Sequence, residues 1–268
     1  MARIIQGKPI NVQNPEEHLE TTNEVLDRVR EQIANPPPPP PEPRITGSTK
    51  RTVVCHFYNE EFLLPWWLKH HKPMFDHGIM IDYASDDRSC EIIKEICPTW
   101  EIRPSRYEFF TSGWIDAEVM DIERELDGWR MALNVTEFLY GNLDHLDNRT
   151  ELTQYYIGNY VFVDVADPAK EPTTSLTHDL PLHQQRHWGY DEFANTGQPK
   201  GNQMGRMCRS IHNGPVVYPC GRHYGDGRSK SFDDLVLFHY GHASDSDAGI
   251  KRKMQIQPKT GTHEPHSA

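Results

Sequence analysis

The sequence has no apolar run approaching the roughly 20 residues that span a bilayer. Hydrophobic residues make up only 36% of its 268 positions. Basic residues are in deficit as well: 28 Lys and Arg against 39 Asp and Glu leave a formal net charge of −11. That balance argues against a general nucleic-acid binder, which needs a basic face to neutralise phosphates. Cysteine is scarce: Cys55, Cys90, Cys97, Cys208 and Cys220 are odd in number and form no CxxC pair. Such usage argues against a disulfide framework and for reduced thiols. Met1 to Lys8 lacks the apolar core of a signal peptide. The expectation is an acidic, cytoplasmic protein with no transmembrane segment and no nucleic-acid partner. Its length suffices for one sizeable domain or two small ones.

What is present divides the chain into three parts. In residues 1–45, Asn14-Pro15-Glu16-Glu17 reads as a helix start, and Leu19, Val25, Leu26, Val29 and Ile33 follow at helical period. This helix is a candidate surface for self-association or a partner. Pro36 to Pro41, with Pro43 beyond, cannot continue a helix and favours a stiff polyproline spacer. The expected boundary falls near Ile45, a single α/β domain fills 46–257, and 258–268 reads as a disordered tail.

Within that domain strands and helices alternate. Thr52 to Tyr58, Gly78 to Asp82, Trp100 to Ile102 and Trp129 to Leu133 read as four strands. Helical spacing covers Glu60–His71, Asp87–Ile96 and Asp116–Leu126, the last stopped by Asp127-Gly128. This alternation predicts a mainly parallel twisted sheet with helices on both faces. Further on, Gln154 to Val165 reads as one long β run, Asp234 to Tyr240 as another, and Ile250 to Ile256 as a basic terminal helix. The His-, Gly- and Asn-rich stretch from Asp167 to Gly214 is too long for an idle connector and reads as an active-site cover.

In an open parallel sheet, ligands bind beyond the carboxyl ends of the strands where the strand order reverses. Polar clusters follow three of the predicted strands: Asn59-Glu60-Glu61, Asp82 to Asp87, and Asn134-Val135-Thr136-Glu137. Each alone is as readily a helix cap as a ligand site. Together, at successive strand ends, they favour a site with acceptors for a nucleotide.

These residues also carry a resemblance. His56-Phe57-Tyr58-Asn59-Glu60-Glu61, Leu64-Pro65-Trp66-Trp67-Leu68-Lys69-His70-His71, Phe75-Asp76-His77-Gly78 and Ser85-Asp86-Asp87-Arg88-Ser89 are similar to the opening of family 2-type glycosyltransferase domains. Asp116 to Glu123, Gly128-Trp129-Arg130, Leu133 to Leu139, Gly221-Arg222-His223-Tyr224 and Ile250 to Ile256 continue it, so that it spans Thr52 to Gln257 in order. The resemblance implies a GT-A fold, a nucleotide-binding half followed by an acceptor-binding half. It implies transfer from a nucleotide-diphosphate sugar to a glycan, lipid-linked or other hydroxyl acceptor, usually with inversion and with Mn2+ or Mg2+ on the diphosphate. By position, Asn59, Glu60, Asp82, Asp86, Asn134 and Arg222 would bind the nucleotide. Glu137 and His239 would be the metal ligands.

One departure stands out. Where many such enzymes carry Asp-x-Asp, this chain reads Asn134-Val135-Thr136, whose oxygens are neutral. Either Glu137 and a later residue hold a metal, or cations such as Arg222, Lys251 and Arg252 stabilise the diphosphate. Candidate bases for the acceptor hydroxyl are Asp116 and Glu118, expected just before a helix, and Asp191 and Glu192, beside Trp188 and Tyr190. His178, His183 and His187 are closely spaced, but Pro181 interrupts any helix that would align them on a metal. Two other readings stay open: a catalytically silent nucleotide- or sugar-binding module, and a metal-dependent hydrolase or oxygenase built on the His-rich half.

Overall fold

The computed structural model describes residues 48–107, 110–147, 153–163, 168–173, 175–191, 208–219, 221–223, 229–231, 235–242 and 247–256. The expected N-terminal helix, polyproline spacer and C-terminal tail lie outside these residues, as does Glu192. Among the described residues no helix is long and apolar enough to cross a membrane.

The strands are β1 (Arg51–Phe57), β2 (His77–Asp82), β3 (Glu101–Pro104), β4 (Trp129–Ala132), β5 (Glu137–Gly141), β6 (Gln154–Ile157), β7 (Asn159–Val163), β8 (Gly189–Asp191), β9 (Arg209–His212), β10 (Ser229–Ser231) and β11 (Leu235–His242). The helices are α1 (Leu64–His71), α2 (Ser89–Ile96), α3 (Ser112–Arg124) and α4 (Asp247–Met254). A seven-stranded sheet runs β10-β6-β9-β4-β1-β2-β3, and a four-stranded sheet runs β5-β11-β7-β8. β1 pairs in parallel with β2 on one side and with β4 on the other, and β3 extends the parallel set beyond β2. β9 enters antiparallel between β4 and β6. The fold is therefore α/β with a mostly parallel main sheet, as the sequence reading expects.

The apolar runs explain the centre of this sheet. β1 and β2 are buried nearly throughout, as strands covered on both faces must be. On one face Val53, Cys55 and Met80 pack with Trp67 and Leu68 of α1 and Ile93 of α2. On the other, Val54, Ile79 and Ile81 meet Val119 and Ile122 of α3. Each such side chain contributes about 1.5–3 kcal/mol when fully buried. Close contact sets two glycines. A Cβ on Gly78 would fall 2.1 Å from the Trp100 ring, and Gly128 turns into β4 at φ +77°.

Several boundaries differ from expectation. α3 begins at Ser112, so Asp116 and Glu118 lie inside the helix and are buried, rather than preceding it. The run expected as one strand over 154–165 breaks at Gly158, and its halves join different sheets: β6 the larger, β7 the smaller. The segment expected as a cover contains β9, an interior strand of the main sheet.

Candidate functional site

The strand order reverses at β1, where the chain crosses from β2 and β3 on one side to β4 on the other, and a crevice opens beyond their carboxyl ends. Two cavities of about 300 Å3 each lie there. The outer one is lined by His56, Tyr58, Glu60, Tyr83 and Thr136, with Arg252 and Lys253 of α4. The inner one is lined by Asp116, Glu137, Arg209, Arg222, His223 and His239. Phe110 and Asn134 line both, so the two are neighbours across these side chains. Asn59, Ala84 and Arg222 adopt left-handed backbone on the bordering loops, with φ of 51°, 59° and 56°. Such conformations are costly for residues with a Cβ and persist where surrounding contacts enforce them.

Hydrogen bonds between the loops after β1 and β2 supply that enforcement. Asn59 Nδ2 donates to Asp86 Oδ1 at 2.6 Å, and the Asp86 backbone N–H donates back to Asn59 Oδ1 at 2.9 Å. Asp82 Oδ1 accepts the Ser85 N–H at 2.9 Å, and Ser89 Oγ accepts the Glu60 N–H at 2.8 Å. Of the residues expected to touch a nucleotide, Asn59 and Asp86 stitch the two loops together and Asp82 braces its own loop, and none of them lines either cavity. Glu60, Asn134 and Arg222 do line them.

The inner cavity is organised by two buried ion pairs. Glu137 Oε1 accepts from Arg209 Nη2 at 2.6 Å, and Oε2 accepts from Arg209 Nε at 2.8 Å. The Asn134 backbone N–H also donates to Oε2, at 2.8 Å. Asp116 Oδ1 accepts from Arg222 Nη1 at 2.6 Å, and Oδ2 accepts the Gly221 N–H at 2.7 Å. All four charged side chains are 4% exposed or less. Arg222 Nη2 donates to Asn134 Oδ1 at 3.0 Å and stands 3.5 Å from His56 Nε2. Burial alone would push the Glu137 carboxyl up, but Arg209 and the Asn134 N–H outweigh it and hold it below the usual carboxylate range.

Burial disfavours the charged form of the imidazoles around these pairs. Burial, then the charges of Arg222 and Arg209, lowers His56 well below its ordinary value. Burial lowers His239 to about 4 against the opposing pull of Glu137. His223 is lowered by burial and by Arg209. His239 Nε2 lies 3.1 Å from Thr136 Oγ1. Its Nδ1 is buried with no hydrogen-bond partner among the described residues.

The expected metal ligands do not suit a divalent cation. Mn2+ or Mg2+ needs oxygens with charge to give. Both Glu137 oxygens accept from Arg209, both Asp116 oxygens are engaged, and Asn134 Oδ1 faces Arg222. A cation here would meet two guanidinium groups. Among the described residues no cluster of three or more His, Cys, Asp or Glu side chains is arranged to hold a metal. Glu137 is thus the partner of Arg209, and His239 the partner of Thr136. The His-rich segment makes no such cluster either: His178 bonds to the Phe62 carbonyl and His183 to the Tyr140 hydroxyl.

The candidate bases separate too. Glu118 Oε2 accepts from Ser105 Oγ and Oε1 from the Arg106 N–H, both at 2.8 Å, so it anchors the loop after β3 and lines neither cavity. Asp191 stands on β8, opposite Tyr160 of β7 in the smaller sheet. Asp116 alone of the described candidates faces the inner cavity. Sequence reasoning missed Arg209, His56, Phe110 and His223. Arg209 carried a signal, because a charge in the short run Cys208-Arg209-Ser210-Ile211 needs a buried partner.

α4 closes the outer side. Arg252 Nη1 donates to Glu60 Oε1 at 2.8 Å, and Gln255 Nε2 donates to the Asn59 carbonyl. Arg252, a candidate cation for the diphosphate in the sequence reading, is thereby paired with Glu60. Burial, opposed by Arg252 and aided by Asp87, raises the Glu60 carboxyl to about 7.

No protein-family model matches the sequence, and no curated protein matches it. Among solved structures it is similar to S. aureus TarS 1-349, at 12% identity over 78% of this chain and 65% of that one, TM-score 0.41. It is similar to the mannosyltransferase PcManGT from Pyrobaculum calidifontis in complex with GDP-Man and Mn2+, at 17% identity over 55% and 44% of the two chains, TM-score 0.31. A third is glucosyl-3-phosphoglycerate synthase from Mycobacterium tuberculosis in complex with Mn2+, UDP and glucosyl-3-phosphoglycerate, at 11% identity over 44% and 46%, TM-score 0.32. The chain spans 65% of the TarS chain and less than half of the other two. At these values the likeness assigns no residue a role.

Two expectations follow. Arg209→Met strands a buried carboxylate and should cost about 3–5 kcal/mol in urea denaturation, most of it recovered by adding Glu137→Leu. A single variant within about 1 kcal/mol of wild type would contradict the pairing. For Glu60, the folded carboxyl holds its proton up to about pH 7, against an ordinary value of 4.5. The folded state then binds more protons between these limits, so wild type loses stability relative to Glu60→Gln as pH rises. The difference should change by roughly 3 kcal/mol between pH 4 and pH 8. A flat difference would show that Glu60 titrates normally.

Proposed function

We propose that the chain is a glycosyltransferase that moves a sugar from a nucleoside-diphosphate sugar to a hydroxyl acceptor. The observation that carries this reading is the pair of adjoining cavities at the switch point of a parallel sheet, aromatic on the outer side and arginine-lined on the inner. Tyr58, Tyr83 and Phe110 offer apolar faces to a base and ribose. Arg222 and Asn134 stand where the diphosphate would lie, and Glu60 completes the nucleotide side. The sugar then reaches into the inner cavity.

The acceptor oxygen bonds to the anomeric carbon as the bond from that carbon to the phosphate oxygen breaks, with inversion. The nucleoside diphosphate leaves with the electron pair, stabilised by donors already in place. Asp116 is the proposed base. It is the one described candidate that lines the inner cavity, and it takes the hydroxyl proton. The second half of the chain supplies the acceptor side in this reading, and residues 46–257 form the working domain. Donor sugar, base and acceptor chemistry are set by pocket shape.

One observation favours a second reading, a silent nucleotide- or sugar-binding module: every carboxylate of the inner cavity already has a cationic or N–H partner. The two separate by experiment. Saturation-transfer NMR with UDP, GDP and dTDP should show contact with one of them. Its sugar conjugates should then release nucleoside diphosphate when glycan acceptors are supplied. Contact without turnover would favour the module, and no contact with any nucleotide would remove the proposal.

A further inference from the structure

The donor and acceptor groups of the inner cavity are unevenly used. Its acceptors are engaged: four carboxylate oxygens by Arg209, Arg222 and two backbone N–H groups, and Asn134 Oδ1 by Arg222. Its donors are not. Arg222 Nε and His239 Nδ1 are buried with no hydrogen-bond partner among the described residues. His239 Nε2 lies 3.1 Å from Thr136 Oγ1, and when the hydroxyl donates in that contact the ring proton falls on Nδ1. Both side chains are at least nine-tenths buried and line the cavity. Unmade hydrogen bonds of this kind are costly and call for a partner with lone pairs.

Charge points the same way. Asp116 and Glu137 balance Arg209 and Arg222, so the inner cavity carries no net negative field to attract a cation. The outer cavity adds Arg252 and Lys253 against Glu60, an excess of positive charge. A divalent cation finds no unpaired anionic oxygen in the inner cavity, whereas a diphosphate finds unused N–H groups and a positive rim.

We infer that the donor's diphosphate is held without a divalent cation, by Arg222 and His239 at the junction marked by Asn134. This rests on the nucleoside-diphosphate reading above and deepens it. The role that a metal plays elsewhere, neutralising charge on the leaving diphosphate, falls here to a guanidinium and an imidazole N–H.

The test is calorimetric titration of the full chain with the contacting nucleoside diphosphate, once in EDTA and once in Mn2+. Electron paramagnetic resonance of Mn2+ added to the protein alone runs beside it. The inference predicts affinities within about twofold in the two arms and an undiminished signal of free aqueous Mn2+. His239→Gln, which keeps the size but removes the ring N–H, should weaken binding about fivefold to tenfold in both arms with an unchanged circular dichroism spectrum. Binding strengthened tenfold or more by Mn2+, or Mn2+ captured by the protein alone, would overturn the inference and leave the transferase reading standing. Unchanged affinity in His239→Gln would remove His239 from the diphosphate site. No binding in either arm would remove the nucleotide reading itself, and this inference with it.

Discussion

Two arginine–carboxylate pairs, Arg209 with Glu137 and Arg222 with Asp116, fix the rest of the site. Each joins parts of the chain far apart in sequence. Arg209 comes from β9, the antiparallel strand inserted beside β4, and Glu137 opens β5 of the smaller sheet. Arg222 comes from the loop after β9, and Asp116 from the interior of α3. Through these pairs the parallel β1–β4 region is tied to elements that follow it. Burying four charges is expensive, and such pairs hold only when geometry and extra hydrogen bonds are good. Here both conditions are met, by the two-pronged Arg209–Glu137 contact at 2.6 and 2.8 Å, the single Arg222–Asp116 contact at 2.6 Å, and the Asn134 and Gly221 N–H groups.

The pairs also decide the chemistry on offer. A carboxylate that accepts two charged N–H bonds has little left to give a metal, and the neutral Asn134 and Thr136 do not replace it. Burial lowers His56, His223 and His239, and the arginine charges nearby add to that lowering. The outer rim obeys a different balance. Glu60 is buried enough to resist ionisation, and Arg252 reaches it from α4, so the tightness of this closing helix is linked to proton uptake near neutrality.

Much of the fold was legible in the sequence because the central strands are buried on both faces and read as unbroken apolar runs. The three strand-end clusters were legible for the same reason: polar residues directly after such runs must stand at the crevice. What individual residues do there was less legible. Asp82, Asp86 and Asn59 have the chemistry of ligands, yet hydrogen bonds within and between the loops use it, and sequence spacing does not separate the two uses. Arg209 was hidden in a four-residue strand within a polar stretch, too short to show an alternation. Gly158 divides a continuous β pattern between two sheets, an outcome set by where the partners lie rather than by the run itself.

The most direct measurement is a crystal structure of the protein grown with its nucleoside diphosphate in the presence of Mn2+. The account predicts a diphosphate beside Arg222 and His239, both arginine–carboxylate pairs intact, and no metal between the phosphates and Glu137. A structure in which Arg209 has swung away and Glu137 ligates Mn2+ would contradict it.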